Sequence, residues 1–362
     1  MRVHRGLETL GRAVLLLILP TLFLGLAELV ARWLHEPEPL RRVYDPYAYR
    51  IPQPNLVDTF EGVDGEIVTV RMNELGMRGP RLSEPVLEGT PTVVFLGGST
   101  TENYPFPLDA TFPEIVGRRL SQSLDRPVRV FNAGMSSGTT STSLARLQHQ
   151  VLDLRPAVVV VLHGINDLMM GFRPDFRPDG RHLSPPAPMG RKPRSYLVDW
   201  LRHRRPRWSK QPRPADLAPA VLDYADFPTR RVFERNLRSM AAIASAHGVE
   251  MLLVTQKSMY SETPDAADLG RFRGWIVFSE DGHIPDVPSL ARGMEAMRAT
   301  VLRVAEETGA HVLDLAGRMP AGWDLFVDEV HFTRSGNVRV ADELTPEIER
   351  ILRESTSPGS SL

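Results

Sequence analysis

The chain has 362 residues and no cysteine, which excludes disulfides, thiolate metal sites, a catalytic thiol and a lipid-attachment cysteine. Its 43 basic and 44 acidic residues leave a formal net charge of -1, so no global electrostatic force favours nucleic acid as a partner. At 42% hydrophobic and 24% charged, the composition is that of a folded globular protein able to bury one large core or two modest ones.

Residues 1–12 form a basic flank, with Arg2, Arg5 and Arg12 ahead of the apolar run "AVLLLILPTLFLGLA". That order is the grammar of export targeting, and the basic side stays cytoplasmic. The uninterrupted part, Ala13 to Ala27, has signal-peptide length, and Gly25 and Ala27 suit signal peptidase. Carried past Glu28 to Leu34, with Trp33 as an interfacial anchor, residues 13–34 reach the length of a transmembrane helix. An uncleaved signal anchor is the preferred reading, and a cleaved peptide releasing a secreted protein is the alternative. Either puts everything after residue 40 on the extracytoplasmic side, periplasmic or extracellular. A buried core helix ranks below both, because the segment is apolar on all faces.

Residues 35–90 read as a proline-spaced connector with short strands, and "GEIVTVRMNELGMRGP" suggests a hairpin or edge elements. From Pro91 the chain alternates apolar runs with amphipathic segments. "TVVFLGG" precedes a helix near 111–124, "VRVFNAG" precedes one near 141–154, and "AVVVVLHG" follows. The later half repeats the alternation: a helix in "RRVFERNLRSMAAIASAHG", the strand "VEMLLVTQ", a helix in "LARGMEAMRATVLRVAEETG", the strand "AHVLDL" and a last helix after Gly336. Five strands in this rhythm predict an α/β fold, a parallel sheet with helices on both faces. Ligands of such sheets bind beyond the carboxyl ends of the strands, so the residues after each apolar run carry the chemistry.

At the first strand end, Gly97-Gly98-Ser99 fits neither a Walker phosphate loop nor a dinucleotide fingerprint, and Thr101 replaces the second glycine of a Gly-x-Ser-x-Gly elbow. Ser99 is left as a nucleophile or a helix cap. A nucleophile needs a base, and "FVDEVHFTRSGN" supplies one: Asp328 and His331 are three residues apart, a spacing that lets the carboxylate hold the imidazole by its Nδ1 hydrogen. A metal reading lacks a third ligand at workable spacing. Two further strand ends offer donors for a developing oxyanion: Asn166 in "HGIND" and the small residues of "NAGMSSGT", Asn132 to Thr139. Each piece alone also reads as a cap, a turn or loop filler.

Together and in this order, the four pieces resemble the SGNH hydrolase superfamily, the GDSL-type lipases and esterases, in its membrane-anchored bacterial form. The resemblance rests on Gly97-Gly98-Ser99, with Gly98 where the family usually has Asp, on Gly164-x-Asn166-Asp167, and on Asp328-x-x-His331 followed by "FT..GN". It implies a three-layer α/β/α domain over 91–352 with a five-stranded, mostly parallel, flavodoxin-like sheet. Ser99, His331 and Asp328 would be the catalytic triad. The oxyanion hole would be the Ser99 N–H, the Asn166 side chain and a backbone N–H of Ser137 or Gly138, the choice depending on a one-residue gap. No cofactor or metal is implied.

The function so implied is an extracytoplasmic serine esterase that removes an acetyl or other short acyl group from a carbohydrate or lipid through an acyl-enzyme. An O-acyltransferase acting on a cell-envelope or secreted polysaccharide is the alternative, and an inactive binding module the second. The expected partners are the acylated substrate and, through the N-terminal helix, the membrane; the oligomeric state is not encoded. A Pro/Arg-rich insertion at about 168–230 reads as a solvated segment or as a lid whose Arg191, Lys192, Arg194, Trp200 and Trp208 face a glycan or lipid headgroups. A loop at 256–290 is a second candidate pocket wall, and 353–362 reads as a disordered tail.

Overall fold

The computed structural model describes residues 2–34, 41–171, 176–178, 195–204, 218–220, 228–272 and 283–355. The chain divides into two compact units, residues 1–40 with 188–211 and residues 41–187 with 212–362.

In the first unit, helix α1 (Arg2–Leu34) includes Leu16–Leu34, among the described residues the one helix long and apolar enough to cross a membrane. Its side chains from Leu16 to Leu26 are exposed, as expected of a helix whose apolar surface has no protein partner.

The second unit opens with two antiparallel hairpins, β1 (Arg42–Asp45) with β2 (Tyr49–Pro52), and β3 (Val57–Glu61) with β4 (Ile67–Arg71). Strand β4 alternates, burying Val68 and Val70 while Ile67, Thr69 and Arg71 stay out. That is the signature of a strand covered on one face. Then come β5 (Thr92–Gly97), α2 (Ser99–Glu102), α3 (Phe112–Ser123), β6 (Arg129–Asn132), α4 (Thr140–Arg146), β7 (Val158–His163) and α5 (Ile165–Met170). Helix α6 (Tyr196–Arg204) belongs to the first unit, and the chain returns through β8 (Ala218–Ala220) and α7 (Pro228–Ala246). It ends with β9 (Glu250–Thr255), α8 (Ala266–Arg271), β10 (His283–Pro285), α9 (Val287–Thr308), β11 (His311–Leu313), α10 (Leu315–Arg318) and α11 (Arg334–Ser355).

Five of these strands form one sheet in the order β11-β9-β7-β5-β6, every neighbouring pair parallel. Strands β5 and β7 are buried along their whole length, which explains why they read as unbroken apolar runs rather than alternating ones. Alternate side chains feed two cores. Val94, Leu96, Val159 and Val161 pack with Phe233 of α7 and Met297 of α9, while Val93, Phe95, Val158 and Val160 pack with Phe112 of α3 and Leu344 of α11. The order reverses between β5 and β7, and the crevice beyond their carboxyl ends is the switch point at which such sheets take ligands.

Two details depart from the sequence expectation. The helix near 141–154 is regular only to Arg146, then continues as a π turn, Leu147–Val151, and a 3-10 turn, Leu152–Leu154. The buried Arg146 guanidinium bonds the Ala133 and Leu75 carbonyls. The last helix starts before Gly336 and runs to Ser355, past the expected boundary at 352, with Arg350–Glu354 and Glu349–Arg353 pairs extending it. Of the insertion, Arg191, Lys192, Arg194 and Trp208 lie outside the described residues, as do 273–282 of the second loop and the tail beyond Ser355.

The connector contributes more than spacing. Arg78 pairs its backbone with Asn132 at the edge of the sheet, and its side chain, 2% exposed, donates to the carbonyls of Glu102 at 3.1 Å, Asn103 at 2.7 Å and Phe106 at 2.8 Å. Burial pushes the guanidinium down to about 10, opposed by the Glu102 charge, so it stays charged at neutral pH. Arg78→Met removes all three hydrogen bonds and leaves the Phe106 carbonyl without a donor, the Asn103 carbonyl keeping only the Phe106 N–H and the Glu102 carbonyl only Asn132 Nδ2 at 3.4 Å, and we expect a loss of about 3 kcal/mol. Urea unfolding followed by circular dichroism reads this as a lowered midpoint; an unchanged midpoint contradicts it.

Candidate active site

Ser99 follows directly on β5 because the two residues before it have no side chains. A Cβ on Gly97 would meet Thr101 and the Leu162 carbonyl oxygen at 2.8 Å, and one on Gly98 would lie 2.6 Å from Asn166 Nδ2. With glycine at 98 the Asn166 amide sits directly against the backbone, and a Cβ there would require that amide to shift. With both positions bare, the chain turns from strand to the single turn α2, and Ser99 becomes its first residue, with an N–H that no described group accepts.

The loop after α10 brings the candidate base. Phe326 and Phe332 form an isolated bridge, and within it the Val327 N–H donates to the His331 carbonyl at 2.8 Å. Asp328 Oδ1 accepts from the backbone N–H groups of Val330 at 3.0 Å and His331 at 2.8 Å, and both its oxygens lie 2.9 Å from His331 Nδ1. Burial alone would raise this carboxyl, but the hydrogen bonds and charge of His331 and the backbone donors hold it below the ordinary value. It therefore remains a carboxylate through mildly acidic pH. The other ring nitrogen, Nε2, is 2.8 Å from Ser99 Oγ. The Met259 N–H, donating to the Glu329 carbonyl, ties this loop to the one after β9.

The remaining expected residues meet at the same strand ends. Asn166 Nδ2 donates one hydrogen to the Gly138 carbonyl at 2.8 Å. Gly138 gives its own N–H to Met135 O at 2.8 Å, closing a turn in which Ser137 has φ of 62°. The Ser137 N–H has no acceptor among the described residues. Of the two N–H candidates, Gly138's is therefore committed and Ser137's is not.

Several residues that sequence reasoning missed hold this arrangement. Glu102, 1% exposed, accepts from the Ser136 N–H at 2.6 Å and from the Ser136 hydroxyl. Arg42 donates to Ser136 O at 3.0 Å and lies 3.7 Å from Glu102. Ser136 is thus gripped from both sides, next to a serine held in the left-handed region at a cost on the order of 1 kcal/mol. Gln256 Oε1 accepts the Ile165 N–H at 2.9 Å and orders the start of α5. Beneath Asn166, the Thr140 N–H and hydroxyl donate to Asp167, His163 Nε2 lies 2.7 Å from Ser143 Oγ, and His163 Nδ1 is 3.8 Å from Asp167. Burial pushes His163 down to about 3 and Asp167 up to about 7, against the Thr140 hydrogen bonds. The pair is therefore neutral in mildly acidic solution, a packed polar support rather than an ion pair. Nothing in the sequence distinguishes these buried polar groups from exposed ones. Among the described residues no group of His, Cys, Asp and Glu is arranged to hold a metal.

The sequence profile of the GDSL-like Lipase/Acylhydrolase family matches residues 95–339. The chain belongs to the GDSL-like lipase/acylhydrolase family. It is a serine ester hydrolase of that type. No curated protein matches the chain, whereas 67 solved chains do. One is a catalytic mutant of an acetylxylan esterase from Geobacillus stearothermophilus, 17% identical, covering 73% of this chain and 96% of its own, with a TM-score of 0.44. Another is a GDSL-like lipase from Bacteroides thetaiotaomicron, 17% identical, covering 74% of this chain and 92% of its own, with a TM-score of 0.42.

The Gly98 contact gives a direct test of the site. Gly98→Ala pushes the Asn166 amide aside, and we expect kcat on a small acetate ester to fall about 10- to 100-fold with KM little changed. Steady-state kinetics reads this; wild-type kcat would mean that the amide takes no part.

Proposed function

We propose that the protein is a membrane-anchored, extracytoplasmic esterase that cleaves an acetyl or short acyl ester of a carbohydrate or lipid, with Ser99 as nucleophile. The observation that carries the proposal is the 2.8 Å approach of His331 Nε2 to Ser99 Oγ, with Asp328 behind the ring at 2.9 Å. In the first step the Ser99 oxygen bonds to the ester carbonyl carbon as its proton passes to Nε2. The carbonyl oxygen takes the negative charge and is met by the Ser99 N–H, the Ser137 N–H and the second Asn166 hydrogen, each such donor being worth about 3 kcal/mol. Collapse of this intermediate breaks the carbon–alkoxy bond, and the alcohol leaves with the proton from Nε2. Water then attacks the acyl-enzyme with His331 again as base, releasing the carboxylic acid and restoring Ser99. Asp328 keeps the proton on Nδ1 and stabilises the transient imidazolium.

The placement outside the cytoplasm rests on the arginine flank before the apolar helix. On a panel of acetylated sugars and short-chain lipid esters, Ser99→Ala should abolish turnover and Asp328→Asn should lower kcat about 10^3- to 10^4-fold. A Ser99→Ala protein with wild-type turnover would falsify the assignment.

A further inference from the structure

Glu28 is an ionisable residue inside the apolar span Leu16–Leu34, and it is not left to lipid. Its carboxylate accepts from the Ser195 hydroxyl at 2.7 Å, the Tyr196 N–H at 2.9 Å and the Leu197 N–H at 3.0 Å. These donors are the start of α6, where the Ser195 oxygen in turn accepts the Val198 N–H at 3.2 Å. The first three amides of α6, which no helix can satisfy internally, are thus all used, and the positive end of its dipole meets the carboxylate. Arg32, one turn further along α1, donates to Glu28 at 2.9 Å and lies over the Tyr196 ring at 5.1 Å.

The packing agrees with this. Ala31 is the one buried residue from Leu16 to Leu34, and Ala27 and Glu28 are half-buried. A small-x-x-x-small face is what lets a second helix approach closely in a membrane. Around it Leu26, Leu29, Trp33 and Leu34 stay exposed. Helix α6 has its own exposed apolar pair, Val198 at 45% and Leu201 at 48%, three residues apart on one side.

We propose that α6 is a second membrane-contacting element, locked to the anchor by Glu28, with Val198 and Leu201 seated in the lipid bilayer at the headgroup–acyl boundary. The occupant is lipid because the start of α6 is bonded to Glu28 within the apolar span Leu16–Leu34 itself, so apolar side chains exposed on its first two turns lie at the depth of that span; the proposal rests on reading α1 as the membrane anchor. Because α6 lies within the insertion between α5, which carries Asn166, and α7, the insertion is tethered to the membrane at its middle.

The absence of cysteine makes the test clean. The full chain is reconstituted in phosphatidylethanolamine–phosphatidylglycerol vesicles with one nitroxide, at Val198→Cys, at Leu201→Cys or, as reference, at Leu22→Cys in α1. Relaxation by oxygen is compared with relaxation by a water-soluble nickel chelate. All three sites should favour oxygen. Added Glu28→Leu should abolish that preference at 198 and 201 but not at 22, whereas Glu28→Gln, which keeps an acceptor, should retain it. Unchanged far-UV circular dichroism is the folding control. Nickel access at 198 and 201 with 22 protected overturns the α6 proposal alone, as does indifference to Glu28→Leu. Nickel access at 22 overturns the anchor reading with it.

Discussion

A buried guanidinium fixes the turn on which the site is built. Helix α2 is a single turn with little stability of its own, and its trailing carbonyls face the protein rather than water. Arg78 collects the carbonyls of Glu102, Asn103 and Phe106, so the turn that begins with Ser99 is held from its far end. Asn132 adds a second hold, donating to the Thr101 carbonyl at 2.7 Å. Since the backbone of Arg78 also pairs with Asn132, the connector, the sheet edge and the serine turn form one hydrogen-bonded piece. An arginine suits the task because its several donors stay charged when buried.

From that fixed turn, the other strand ends are set by short-range contacts. Gly97 O accepts the Met135 N–H at 3.0 Å, which brings the loop after β6 against the loop after β5. Asn166 reaches over Gly98 to the Gly138 carbonyl, which brings in the loop after β7. Glu102 and Arg42 hold Ser136, so the strained Ser137 presents its N–H without needing to reorganise. Donors fixed in advance of the reaction stabilise the charge that develops in acyl transfer more than donors that must first turn toward it. They also place demands on residues that carry no chemistry: Gly97, Gly98, Gln256 and the buried His163–Asp167 pair.

The fold was largely legible because its signals are local. Unbroken apolar runs at 92–97 and 158–163 announced central parallel strands, and amphipathic segments announced the covering helices. Ser99 and Asn166 are legible as candidates because each lies just beyond an apolar run, where a doubly wound sheet puts its ligands, whereas Asp328 and His331 are legible only by their three-residue spacing, some way past the last strand. The supporting residues were not legible, because burial of a charge leaves no trace in composition. Arg42 and Arg78 sit among proline and glycine in what reads as an exposed connector, and Glu102 reads as one more helix residue. What distinguishes Ser137 from Gly138 is one hydrogen bond, Gly138 N–H to Met135 O, which no spacing rule gives. The approach of Gly98 to Asn166 is likewise hidden, a contact with a residue 68 positions further on. Glu28 read as an interfacial charge, since its partners at 195–197 are distant in sequence.

In the proposed reaction Ser99 carries the acyl group between the two steps, and trapping that species is the most direct test. Mixing the protein with excess p-nitrophenyl acetate, quenching in acid within the first turnover and sequencing the peptides by mass spectrometry should place one acetyl group on Ser99. An acetyl group on another residue, or rapid ester cleavage with Ser99 never modified, would contradict this role.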